Sequence, residues 1–303
     1  MSWVIMALGS AAVTAGINIV DKAILQNYVR THSTLLIFIG LFQGSVGISL
    51  VASFLWLEHA NAEAAIWALF SGSLFGLGGL FFIYVLSSQE VSRAVPISQS
   101  APIFAAILGH LFLGESLNII QWLAIAVTVL GASLLSTRRY DGSVGTSIHS
   151  SLPLLLLSSF LTAAGQVSGK VPLDTMSVPL THGFRCIGLS TVLMTGSGFN
   201  SKARREVLDL LANRSLWLWL LAFSELVLVS VGFMLFLWAI SQGQVGLVTA
   251  ILASRSIFVL IYSTGLTLGI KNILGENVTL RAIAIKCISV MFIVVGVAAI
   301  AIY

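Results

Sequence analysis

Three ionisable side chains, Arg185, Glu225 and Arg255, interrupt long apolar runs in this 303-residue chain. A charged residue at the centre of a membrane-spanning helix costs about 2.5–3.5 kcal/mol on insertion scales, so it rarely faces lipid. A guanidinium offers planar, paired donors that suit a carboxylate or a phosphate. The two arginines therefore read as holders of an anionic group. Glu225 reads as a partner for a substrate ammonium, or as a proton acceptor that couples transport. The competing reading is a buried Arg–Glu bridge that only fixes helix packing. His182 lies about one turn before Arg185 and would share its face. Asn18, Gln43, Gln99, Ser100, Gln166 and Ser168 are uncharged polar residues that could line the same cavity; each also suits a plain interhelical hydrogen bond.

The composition dictates what positions these residues. Hydrophobic residues make up 57% of the chain and charged residues 9%, with a mean hydropathy of +1.02. A soluble domain needs about 25% charged residues to wet its surface. Most of this surface must face lipid, which excludes a soluble enzyme, a disordered protein and a nucleic-acid-binding domain. The net charge of +4 reads as membrane topology, not as a nucleic-acid footprint. Ten apolar stretches approach the length of about 20 residues that a spanning helix needs. They cover about 3–22, 33–57, 64–87, 94–113, 119–137, 151–170, 177–199, 215–240, 244–268 and 280–302. Trp56, Trp67, Trp122, Trp217 and Trp219 sit near their ends, as an interfacial belt requires. Gly40/Gly44, Gly72/Gly76 and Gly265/Gly269 have the spacing of close helix contacts. Met1-Ser2-Trp3 leads straight into the first run without a basic segment, so that run reads as a retained span and not as a signal peptide.

Residues 138–150 read as a linker near the midpoint, and residues 201–214 as a short amphipathic helix on the membrane surface. Cys186 and Cys287 fall in apolar runs and read as free thiols. No nucleophile elbow, phosphate-binding glycine loop or metal-ligand cluster is visible, so neither enzyme chemistry nor a cofactor or metal is expected.

The halves resemble each other. At an offset of 154, Tyr84–Val91 aligns with Trp238–Val245, and Ser100, Ile103 and Phe104 meet Ser254, Ile257 and Phe258. At an offset of 148, Thr14, Ala15, Asn18 and Lys22 meet Thr162, Ala163, Gln166 and Lys170. Gly114-Glu115 and Gly275-Glu276 precede the fifth and tenth runs. Five spans per half is an odd number, so the second copy enters the membrane from the opposite face. An inverted repeat of this kind usually builds an alternating-access carrier with a site near mid-membrane. The units are 1–137 and 151–303, and the fold class is an all-α integral membrane protein of ten helices. The first-half counterparts of Arg185, Glu225 and Arg255 are approximately Gln43, Ser71 and Ala101, so the halves diverge where a site would sit.

On the 5+5 pattern, the paired Gly-Glu and the Asn18-Ile-Val-Asp-Lys22 segment, the whole chain resembles the EamA branch of the drug/metabolite transporter superfamily. The resemblance implies that spans 1–4 and 6–9 surround a central cavity while spans 5 and 10 lie outside it. It also implies export or exchange of metabolites, with the substrate left open.

Loops on the side of the first residue hold one basic residue, Lys170. Those on the other side hold eleven: Lys22, Arg30, Arg93, Arg138, Arg139, Lys202, Arg204, Arg205, Arg214, Lys271 and Arg281. The positive-inside rule then places both termini outside the cytoplasm, opposite to what the family resemblance implies. Pro96 and Pro102 have no counterparts at 250 and 256, which marks span 4 as a gating helix. Glu115 and Glu276 read as caps of the helices that follow them, His110 as a packing or interfacial residue, and Lys286 as a snorkelling one.

The expected function is secondary active transport of a small polar metabolite bearing a carboxylate or phosphate, such as an amino acid, in a bacterial inner or cell membrane. The expected partners are a small-molecule substrate and the lipid bilayer, in a monomer or homodimer. The alternatives are an exporter of drugs or aromatic compounds, a lipid flippase, or a membrane accessory subunit.

Overall fold

The structure, a computed structural model, describes residues 2–27, 31–58, 61–86, 97–136, 152–212, 215–269 and 280–302. Among these residues the regular structure is helical. In chain order the helices are α1 Ser2–Asn27, α2 His32–Phe54, α3 Ala62–Leu86, α4 Ala101–Leu113, α5 Ile119–Ser136 and α6 Leu152–Ser168. A 3-10 turn at Val171–Asp174 leads to α7 Val178–Gly198, α8 Ser201–Ala212, α9 Leu216–Gln242, α10 Val245–Leu252, α11 Arg255–Gly269 and α12 Leu280–Ile302. Among the described residues five stretches are long and apolar enough to cross a membrane: His32–Phe54, Ala62–Val85, Leu152–Asp174, Leu216–Gln242 and Val245–Tyr262. Shorter apolar helices cover Ser2–Asn18, Ala101–Leu113, Ile119–Leu135 and Lys286–Ile302. Leu, Ile, Phe and Trp side chains such as Ile48, Phe70, Phe112, Leu216, Trp217 and Phe223 point outward. So much exposed apolar surface is a lipid-facing belt.

Packing runs in pairs: α2 against α7, α3 against α6 and α7, α1 against α9 and α11, α4 against α6 and α10, and α5 against α12. Small residues set the closest of these approaches. A Cβ on Gly72 would overlap the Arg185 carbonyl, and one on Gly188 would overlap the Leu69 carbonyl. Backbone thus lies directly on backbone where α3 meets α7. The amphipathic α8 turns Ala203, Val207 and Leu210 inward, onto Ile37 and Leu35 of α2 and Leu218 of α9. Its apolar stripe is therefore covered by protein, while Lys202, Arg204, Arg205 and Leu208 stay exposed.

Two apolar runs are interrupted near their middles. Gln99 and Ser100 form a turn just before α4, and Ala253 and Ser254 form a turn between α10 and α11. At both turns the backbone tightens to i→i−3 bonds, including Ser100 N to Ile97 O and Ser254 N to Ile251 O. The turns are 154 residues apart, the same offset that aligns the two halves. Pro102 is buried in the first turn of α4, and Pro96 lies outside the described residues. Proline does not account for the interruption, because the 253–254 turn forms without one.

Glu115 corrects an expectation. The helix that follows it, α5, is capped by Asn118 and Gln121, each main-chain N donating to the other's side-chain oxygen at 2.9 and 2.8 Å. The Glu115 carboxylate instead accepts from Val245 N, at the start of α10 in the other half of the chain.

Candidate functional site

The helix α7 begins at a built cap. Ser177 Oγ accepts from Leu180 N and bonds Glu58, fixing the start of the helix against the α2–α3 connection. From there the helical repeat brings His182 and Arg185 to one face. Both are buried, at 3% and 5% exposure. The guanidinium lies over the end of α6: a Cβ on Gly169 would stand 2.7 Å from Arg185 Nη1 and 2.8 Å from Ser71 Oγ. Only glycine at 169 lets the guanidinium come this close. Ser71 Oγ spends its proton on Gly165 O at 2.5 Å, and Arg185 Nη1 has no hydrogen-bond partner among the described residues. Gln166 Oε1, one turn before Gly169, is also buried without one.

The other face of this cluster is aromatic. The His182 ring stacks on Phe233 of α9 at 6.2 Å, and Phe233 meets Phe75 of α3 edge-on at 5.2 Å. Cys186 Sγ lies 3.4 Å from His182 Nε2 and donates to Gln43 Oε1 at 3.2 Å. Arg185, His182, Gln43, Cys186 and Ser71 thus form one buried polar group shared by α2, α3 and α7.

A second group forms at the paired turns. Gln99 Nε2 donates to Ser256 Oγ at 3.2 Å, joining the two interrupted runs. Arg255, half-buried, is the first residue of α11. Ser254 is 3% exposed, and neither its Oγ nor that of Ser100 has a hydrogen-bond partner among the described residues. Unpaired buried hydroxyls of this kind cost free energy unless something polar reaches them.

The expected site residues therefore divide into two groups. His182, Arg185 and Gln43 come together; Gln99 bonds Ser256, the neighbour of Arg255 on α11, and α11 packs on α1 whereas α7 packs on α2 and α3. Asn18 is exposed near the far end of α1. Ser168 Oγ returns its proton to Ala164 O at 2.7 Å within its own helix. The side chains of Glu225 and Lys22, the linker 138–150 and Glu276 lie outside the described residues. Phe75, Phe233 and Gly169 gave no sequence signal. Ser254 did, through its alignment with Ser100.

At one end of the bundle, where Ser2 lies, three connections meet. Gly114 closes α4 in the left-handed conformation at φ 66° and turns the chain so that Glu115 folds back over Gly109. Lys170 Nζ donates to Glu115 Oε1 at 2.7 Å and to Gly243 O at 2.7 Å. Val245 N donates to both carboxylate oxygens, at 2.9 and 3.1 Å. His110 Nδ1 lies 2.8 Å from Glu115 O. At the opposite end a cavity of about 360 Å3 opens among Thr31, His32, Leu36, Leu80, Tyr84 and Ser197.

A lipid-belted helical bundle with buried polar groups at mid-span is the build of a membrane carrier, and comparison with known families says which. The EamA-like transporter family matches residues 1–137. Over that stretch the chain is similar to the EamA-like transporters. EamA-like proteins carry solutes and are not enzymes. Among curated relatives, an uncharacterized transporter in the cobO 3' region of Sinorhizobium sp is 28% identical over 136 residues, 44% of this chain and 94% of the relative. The uncharacterized transporter YwfM of Bacillus subtilis is 26% identical over 153 residues, 49% of this chain and 50% of its own length. A third, named "Probable 4-amino-4-deoxy-L-arabinose-phosphoundecaprenol flippase subunit ArnE" of Hamiltonella defensa, is 29% identical over 80 residues, 26% of this chain and 72% of that one. One crystal structure superposes with a TM-score of 0.69 at 15% identity, over 99% of this chain and 97% of that chain. The whole length of this chain therefore follows the fold of that solved structure.

Proposed function

We propose that this EamA-like transporter is a ten-span secondary carrier, built as inverted five-helix repeats over 1–137 and 151–303, for a small polar metabolite bearing a carboxylate or phosphate. The observation that carries the reading is the Arg185 guanidinium, buried within α7 beside Ser71 and Gly169 with Nη1 lacking a partner among the described residues. A cation taken out of water costs several kcal/mol, offset only by a partner with matching geometry. An anionic solute supplies that partner. Arg255, with the unpaired hydroxyls of Ser100 and Ser254, forms the second polar contact along the path. Glu225 is the candidate proton acceptor. The eleven basic residues that the sequence assigns to the loops opposite the first residue support an orientation with those loops toward the cytoplasm.

The test is thermal unfolding of the purified protein with amino acids, phosphorylated metabolites and cationic drugs. A ligand at 100 times its Kd stabilises the folded state by about 2.7 kcal/mol, a readable shift. Anions should raise the unfolding temperature, and Arg185→Gln or Arg255→Gln should abolish the rise. Stabilisation by cations alone overturns the reading.

The 29% identity to the flippase subunit favours a second reading, a lipid-linked anionic cargo. Stabilisation by a polyprenyl phosphate, but by no water-soluble anion, would select it.

A further inference from the structure

We propose that Lys170 and Glu115 are gate residues, a latch that closes the transport path at the Ser2 end of the bundle and must part for solute to pass there. The proposal rests on the transport reading but not on which solute is carried.

The latch spans both halves of the chain. Glu115 follows α4, whereas Lys170 lies two residues past α6 and Val245 begins α10. Four hydrogen bonds converge: Lys170 Nζ to Glu115 Oε1 and to Gly243 O, and Val245 N to each carboxylate oxygen. The side chains are only 23% and 8% exposed, so the charges hold each other with little help from water. Gln244 Nε2 adds a bond to Ser116 O at 3.0 Å.

Charge placement distinguishes a latch from an ordinary staple. Lys170 is the one basic residue that the sequence assigns to the loops on this side, against eleven assigned to the other. A lone cation against that bias implies a task that topology does not set. Position gives the task. Lys170 directly follows Gly169, on which the Arg185 guanidinium rests, so a shift at the end of α6 reaches the buried site within one residue. Val245 starts the eight-residue α10, which ends at the Ser254 turn. One carboxylate thereby holds both routes to the two polar groups. The neighbouring contact between α10 and α4 is smooth: a Cβ on Gly246 would meet Ala106 Cα at 2.6 Å, and small facing residues let the helices slide. Each end carries an opening, about 360 Å3 at the Thr31 end and about 350 Å3 at the Ser2 end, where Gly243 and Gln244 border the latch, so closed and parted states are both within reach of water. Ion pairs and main-chain bonds are suited to exchanging between such states, since water can replace them when they part.

The experiment places a reporter thiol at Ser254→Cys with Cys186 and Cys287 changed to Ser. A membrane-impermeant maleimide is added from the Ser2 side of proteoliposomes. Glu115→Gln and Lys170→Met should each label about tenfold faster than the parent or more, as expected when a charge-assisted bond that opposes opening is lost. Unchanged labelling in both, in protein that elutes as a folded species, overturns the proposal. Should either variant fail to fold, nitroxide labels at Ser116 and Gln244 read the intact latch. Two distance populations support a gate, and a single short distance under every condition overturns it. Both readouts are independent of ligand, so failure of the Arg185 anion test leaves them standing.

Discussion

Gln99 reaches across from one interrupted run to the other and donates to Ser256 Oγ at 3.2 Å. The bond links two turns 154 residues apart, so a bend in one is felt by the other. Measured couplings between polar side chains inside membrane proteins average about 0.6 kcal/mol, with a maximum near 1.7. A double-mutant cycle of Gln99→Leu and Ser256→Ala, read by reversible unfolding, should give a coupling in that range. Fully additive effects would show that the turns are independent.

Arg185 should cost the empty protein stability. Replacing a buried, incompletely paired charge with an apolar residue of similar size is commonly neutral, or stabilising by about 1–4 kcal/mol. Arg185→Met is therefore expected to unfold at or above the wild-type temperature without ligand, while losing stabilisation by anions. A loss of several kcal/mol would mean that the guanidinium is a structural tie.

The crossing of α3 and α7 tolerates no side chain at its centre. Gly188→Ala drives a methyl group into the Leu69 carbonyl, and overpacking of this kind costs about 1–3 kcal/mol. Gly79 has open space on the same helix as Gly72, so Gly79→Ala should instead stabilise by about 0.5–1 kcal/mol through the lower entropy of its unfolded state. Equal effects at both sites, by thermal unfolding, would contradict the packing described.

On α8 the stripe that faces protein predicts a sharp difference between neighbours. Val207 is 3% exposed and Leu208 65%. Val207→Asp buries an unpaired carboxylate and should destabilise by several kcal/mol, whereas Leu208→Asp should leave the unfolding temperature nearly unchanged.

Much of this architecture is legible in the letters because lipid imposes it. A chain with so few charges can place Arg185, Glu225 and Arg255 only where protein or water receives them, and the apolar runs mark the helices within a few residues. Pairwise geometry was less legible. Glu115 looked like a cap for α5 because a Gly-Glu pair at a loop start usually faces forward; its actual partners, Lys170 and Val245, are 55 and 130 residues away. The arginines looked like one site because they share a charge sign and a depth, yet they stand on helices with different main neighbours, α7 on α2 and α3 and α11 on α1. Proline marked span 4 as special, while the same turn forms in span 9 from residues with no breaking tendency. The reason lies in tertiary contacts, which a single sequence does not record.

Gly109 gives a way to disturb Glu115 without altering a single charge. A methyl group there would stand 2.7 Å from Oε2, inside the space the carboxylate fills. Alanine at 109 would act as a steric wedge: the acid would remain ionised and the lysine intact, but the two would no longer meet in register. Natural variation that replaces this glycine should then travel with a change at position 115, and a lineage that keeps the glutamate beside a bulkier 109 would have to seat it somewhere else.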